Sequence, residues 1–288
     1  MDAPRSDARA GGEPLVAVLL TWFLPGAGHL YLGRVAQGVV AFVVVGGMYW
    51  LGVKLAGGMT FEFLDPELRG AFSVALTPEV GNLGGLIWQM RSHGFGDPGY
   101  VPHPYPSGIW IGSLLAALSG LANMALMVDA HFSARAGAER RPGLSPAVFV
   151  VAGWAVPGLG HLLQGRVLRG VIVAVLLIGL FALGTVLSEG ANLSRERHFY
   201  YWGAQLMCGL PAVLTEFVSG RPPVSGSMPY IDFGLTFGAM AGLLNAVVLM
   251  DVFAWQESKL LGRDPVADRE KHRNRHRSAE VEIGESAA

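Results

Sequence analysis

Charge is what this chain has least of. Asp, Glu, Lys and Arg make up 15% of its residues, where a soluble domain carries about 25%, and the deficit is concentrated. No charged residue occurs in 35–53, 108–128, 170–188 or 233–250. About 20 apolar residues are enough to cross a hydrocarbon core of about 30 Å, so four such runs exclude a soluble globular protein. The backbone of a spanning segment must satisfy itself, which predicts helices, and the short alternating segments of an outer-membrane barrel are missing. Cysteine is nearly absent too: Cys208 stands alone, so no intrachain disulfide forms and the redox compartment is not fixed. A net charge of −1 gives no reason to expect a nucleic-acid partner. Neither a Ser-His-Asp order nor His-Glu-x-x-His appears, and the glycine-rich turns lack the Gly-Lys-Ser/Thr ending of a phosphate loop. The sequence therefore supports no enzyme and predicts no cofactor and no metal.

What is present is a repeat. "WFLPGAGHLYLGRVAQG" at 22–38 and "WAVPGLGHLLQGRVLRG" at 154–170 are identical at 10 of 17 positions. A second pair follows in the same order: "SGLANMALMVD" (119–129) and "AGLLNAVVLMD" (241–251) share Gly, Leu, Asn and Asp. Fixed internal similarity is the mark of duplicated architecture. Each half reads as a short apolar segment, a Pro-Gly-x-Gly-His turn, Gly-Arg, a long helix, a long loop and a second long helix ending near Asp. The first copy, behind Arg5 and Arg9, imitates an export signal. The second sits in mid-chain where nothing is cleaved, so the pattern is read as structural in both.

The segments 15–24 and 146–156 are about ten residues long, too short to span and suited to half-helices. With four spans, both termini and the linker 131–145 share a side. That side carries 15 of the 21 Lys and Arg residues, including Arg135, Arg140, Arg141 and the cluster 269–277. The positive-inside rule then makes it cytoplasmic. Six spans is the alternative, and it would place the basic linker outside. The expected organisation is a cytoplasmic N-terminus 1–13; a first repeat 14–130 with spans 35–54 and 108–129; a linker 131–145; a second repeat 146–254 with spans 168–188 and 233–252; and a disordered cytoplasmic tail 255–288. The fold class is an all-α integral membrane protein with four transmembrane helices in two parallel two-helix repeats. Stretches 71–90 and 200–218, apolar with one acid each (Glu79, Glu216), are expected as short helices lying on or dipping into the outer face.

These motifs resemble the TM2 domain family. His29, Tyr31, Leu32, Gly33, Arg34, Gly38 and Asp129 follow its pattern, as do His161, Gly165, Arg166, Gly170 and Asp251. Leu163 and Gln164 replace Tyr-Leu in the second copy, and the connection between the helices, about 50 residues here, is short in that family. The resemblance implies two-helix membrane units and brings no catalytic activity.

The candidate residues fall in four pairs. Arg34 and Arg166 open the first long helix of each half, and Asp129 and Asp251 close the second; a charge near lipid seeks a partner, so each Asp is expected to pair with an Arg. His29 and His161 follow the turns and are expected to donate to a backbone carbonyl freed by the break. Asn123 and Asn245 are expected to make interhelical hydrogen bonds. The functional expectation is a scaffold or accessory protein of the bacterial inner membrane. Its expected partners are the lipid bilayer, anionic lipid at the cytoplasmic face and an unidentified membrane protein. The alternatives are a small transporter or channel with a path between the halves, and an enzyme using His29 or His161.

Overall fold

Proline opens and closes the first element of each half. The computed structural model describes residues 12–64, 70–94, 105–136, 142–219 and 228–267; Arg5, Arg9, Arg140, Arg141 and the basic stretch 269–277 lie outside them. Helix α1 (Pro14–Phe23) starts on Pro14, where a missing N–H costs no hydrogen bond. It stops because Pro25 forces the residue before it out of helical geometry; Leu24 is extended at φ −141°, ψ 115°. A tight turn leads into the short α2 (Ala27–Tyr31) and then α3 (Val35–Leu55). After α4 (Ala71–Ala75), a 3₁₀ turn (Pro78–Gly81) and α5 (Leu83–His93) comes α6 (Ile109–Ala136). The second half runs α7 (Pro146–Ala155), α8 (Leu159–Leu163), α9 (Val167–Leu187), α10 (Phe199–Gln205), α11 (Leu210–Ser219) and α12 (Ile231–Leu260).

Helices α3, α6, α9 and α12 are long and apolar enough to cross a membrane. The first and third begin and end within three residues of the uncharged runs. The other two run on past Asp129 and Asp251 to Ala136 and Leu260. A charge ends the hydrocarbon-compatible stretch but not the helix, so charge-free runs mark the lipid boundary rather than the helix end. Within each half the spans pack as a pair, α3 on α6 and α9 on α12. Small residues let them approach: Gly52 lies against Gly112, and Gly184 against Gly234 and Gly238, as expected of helices that gain nothing from hydrophobic exclusion in lipid. Five residues of α3, Phe42–Gly46, form a π-helical turn. The Ser119 hydroxyl of α6 donates to the Val45 carbonyl in that turn at 2.8 Å, a side-chain insertion of the kind that accompanies such bulges.

The half-helices meet in pairs. The C-terminal end of α1 meets the N-terminal end of α5: a Cβ on Gly84 would come 1.9 Å from the Phe23 carbonyl, and Trp22 Nε1 donates to the Val80 carbonyl at 2.7 Å. The second half repeats the contact. A Cβ on Gly209, at the head of α11, would come 1.7 Å from the Trp154 carbonyl, and Trp154 Nε1 donates to the Leu206 carbonyl at 3.1 Å. Each half therefore carries two half-helices that enter from opposite ends and abut beside the long helix.

The two halves join at both ends of the bundle. At the end holding the linker, Arg135 pairs with Glu257 at 3.0 Å, and Phe132 and Ala136 pack on Leu260. At the other, Trp202 and Leu206 pack on Leu114 and Ala117. Between these joints lies a furrow of about 500 Å³ whose wall is almost wholly apolar, including Val45, Met48, Leu121, Ala125, Trp154 and Leu249.

Candidate functional site

The turn after each half-helix is made of backbone packed on backbone. Gly26 and Gly158 have φ of +83° and +87°, and a Cβ on either would sit 2.1 Å from the carbonyl of Gly38 or Gly170. Only glycine fits both conditions. The turn reverses the chain so that α2 and α8 carry their histidines onto α6 and α12.

There His29 Nε2 hydrogen-bonds Asp129 Oδ2 at 3.0 Å, and His161 Nε2 hydrogen-bonds Asp251 Oδ2 at 3.1 Å. Both histidines are buried and both Asp residues partly so. A carboxylate is a stronger acceptor than a carbonyl, and it takes the ring nitrogen that the sequence reading assigned to freed backbone. The arginines divide. Arg166 donates to Asp251 Oδ2 at 2.6 Å and stacks its guanidinium 4.5 Å from the centre of the Trp255 ring. Arg34 donates to Ser133 Oγ at 2.6 Å, one helical turn beyond Asp129, instead of bonding it directly. Asp129 takes the Ser145 hydroxyl in its place. Because α6 and α12 continue past them, neither Asp stands at a helix terminus, so pairing here answers burial rather than the helix dipole.

Asn123 and Asn245 hold the junctions between half-helices. Asn123 Nδ2 donates to the carbonyls of Thr21 at 2.8 Å and Gly81 at 2.9 Å. Asn245 Nδ2 donates to Gly153 at 3.2 Å and Met207 at 2.9 Å. One amide thus caps the last turn of one half-helix and the turn leading into the next, where broken helices leave carbonyls that lipid cannot satisfy.

A second polar cluster lies where the halves meet at the other end of the bundle. Arg195 is fully buried, with its guanidinium 3.6 Å from the centre of the Trp202 ring. It donates to Ser113 and to the Trp110 carbonyl of the first half and lies 3.8 Å from Glu216, which accepts Trp202 Nε1 at 2.9 Å. Glu79 is also buried, within reach of the Arg195 charge. The signal in the sequence was the lone acid in each apolar stretch; nothing marked Arg195 as their common neighbour. Nearby in the first half, Tyr49 donates to Gln89, which donates to Thr60.

Among the described residues no three His, Cys, Asp or Glu converge on a metal. Burial pushes the Cys208 thiol up to about 12, so it is no thiolate nucleophile at neutral pH. No hydroxyl or thiol is bonded to the free ring nitrogen of His29 or His161, the place a nucleophile takes in a base-assisted site.

Four apolar helices of spanning length with paired half-helices between them define a multi-pass integral membrane protein. Over residues 16–142 and 148–265 the chain matches the "Family of unknown function (DUF6677)", and it belongs to that family. No curated protein and no solved structure matches it.

Proposed function

We propose that the chain is a structural or accessory protein of a bacterial inner membrane. It is built as two parallel TM2-like repeats over 14–130 and 146–254, each with its Pro-Gly-x-Gly-His turn, and both termini and the linker 131–145 are cytoplasmic. In this reading His29, Arg34 and Asp129, and His161, Arg166 and Asp251, are clasps that lock each half-helix to its long helix. Asn123 and Asn245 are the rivets at the junctions. The observation that carries the reading is the furrow between the halves, walled almost wholly by apolar groups; a transport path there would need polar groups to replace the water an ion sheds. The family match in two successive stretches, 16–142 and 148–265, supports a duplicated unit. Exposed Arg169 and the basic linker and tail favour anionic lipid at the cytoplasmic face, each such residue contributing about 1 kcal/mol, and a further membrane protein is the partner expected of a scaffold.

The test is flux. The purified protein is reconstituted in liposomes of defined lipid, and leakage of protons, Na⁺ and K⁺ is compared with empty vesicles. The expected result is no difference. A flux several-fold above empty vesicles and lost in Asp129→Asn would replace the scaffold with a transporter.

A further inference from the structure

One place in the fold holds a carboxyl in the first half and an amide in the second. A Cβ on Gly120 of α6 would come 2.0 Å from the Pro78 carbonyl and 3.1 Å from the Glu79 Cα; a Cβ on Gly242 of α12 would come 2.0 Å from the Ala204 carbonyl and 2.9 Å from the Gln205 Cα. Trp22 and Trp154 donate to the carbonyls of the next residues, Val80 and Leu206. Glu79 is therefore the counterpart of Gln205. The amide is satisfied: Gln205 accepts from Asn192 Nδ2 at 2.9 Å and donates to the Asn192 carbonyl at 2.7 Å. Glu79 is 1% exposed, and its Oε2 has no hydrogen-bond partner.

The groups around it are few. Among the described residues, the charge of Arg195 acts on Glu79, and Glu79 acts on the Tyr49 hydroxyl. Helix α6 presents Gly120, α10 presents Gly203 against Pro78, α1 presents Trp22, and α5 begins on the capping Asn82. Helix α4 has no ionisable residue, and Arg91 and His93 lie exposed at the far end of α5. Arg195 lies 3.8 Å from Glu216 and its charge also reaches Glu79, so one guanidinium acts on two carboxyls.

We propose that Glu79 is a proton-binding site, neutral in the folded protein at neutral pH, whose proton is released to water as Arg195 turns from Glu216 to the new carboxylate. Burying a lone carboxylate is far costlier than burying its acid, and the acid form occupies the same volume as the amide that fills the place in the second half. Burial pushes the Glu79 carboxyl up, against smaller opposing contributions from its backbone, Thr77 and Arg195. Arg195 joins the halves through Ser113 and the Trp110 carbonyl, so the charge state of Glu79 is felt at this seam. The site lies within the first half and goes beyond the scaffold reading; a protein that conducts nothing can still carry it.

Infrared spectroscopy of the full-length protein in lipid tests this. The difference between wild type and Glu79→Gln at neutral pH is expected to show the carbonyl band of one protonated carboxylic acid per chain, lost as pH rises. A difference made only of carboxylate bands overturns the proposal. Glu79→Gln is expected to fold, since Gln205 fills the matching place. Should it not, wild type carrying ¹³C-carboxyl glutamate decides: an isotope-shifted acid band at neutral pH supports the site and its absence overturns it. In Glu216→Gln, Arg195 is left to Glu79, and the titration is expected to move to lower pH; an unmoved titration overturns the coupling to the seam.

Discussion

At the scale of single residues, glycines with the same backbone angle do different work. Gly26 and Gly33 both sit in the left-handed region, at +83° and +74°. A Cβ on Gly33 would meet nothing within 4 Å, while one on Gly26 would collide with the Gly38 carbonyl at 2.1 Å. The left-handed conformation alone costs a non-glycine residue about 1–2 kcal/mol. Gly33→Ala should therefore lose about that much, and Gly26→Ala clearly more, because two backbones must separate before the side chain fits. Thermal unfolding of the purified variants in one detergent measures the difference, and equal losses would mean that the turn is not packed as described. The sequence made both positions conspicuous by repeating them at Gly158 and Gly165, but it could not rank them, since the colliding carbonyl comes from another turn of the chain.

At the scale of elements, the half-helices become intelligible only together. Alone, a ten-residue helix ending in mid-bundle leaves carbonyls that need partners. Abutting another half-helix, it needs only a donor at the junction, which Asn123 and Asn245 provide. Asn123→Leu keeps the volume but removes the donor to Thr21 and Gly81. A buried polar group left unpaired costs about 1–3 kcal/mol, more than the average of about 0.6 kcal/mol for an ordinary interhelical bond. The loss should appear as a lowered unfolding midpoint and as faster proteolysis near 77–85, with Asn245→Leu acting on 205–210 in the same way. A loss no larger than the ordinary bond would make the junction a chance contact. Four spans were legible because hydropathy and missing charge are local properties of the sequence. The Asn residues were legible as buried hydrogen-bonders for the same reason. Their partners were not, because Thr21 and Gly81 lie 102 and 42 residues away. The pairing of His29 with Asp129, 100 residues apart, was hidden likewise, whereas Arg166 with Asp251 followed from the cost of an isolated charge.

At the scale of the whole molecule, the question is which ends share a side. The contacts gather the start of α1, the linker and the end of α12 at one end of the bundle: Glu13 N–H donates to the Tyr31 hydroxyl, Ser145 bonds Asp129, and Arg135 pairs with Glu257. Tyr105, at the head of α6, belongs at the other end. Native Cys208 is buried with its thiol pushed up to about 12, so it should stay silent to a membrane-impermeant maleimide, and single cysteines can be added to the wild-type chain. Leu144, Val266 and Tyr105 are exposed. Leu144→Cys and Val266→Cys should label only after the cytoplasmic side is opened, and Tyr105→Cys in intact cells. This expectation rests on the excess of Lys and Arg on the linker end, since topology follows basic residues in short cytoplasmic segments. Labelling of Leu144→Cys from the side opposite Val266→Cys would give each half an odd number of crossings. The copies would then be inverted, and the clasps at Asp129 and Asp251 would lie on opposite membrane faces. If both instead label with Tyr105→Cys protected, the parallel repeats stand and only the orientation is reversed, which would show that the acidic loops, rather than the basic linker, direct insertion.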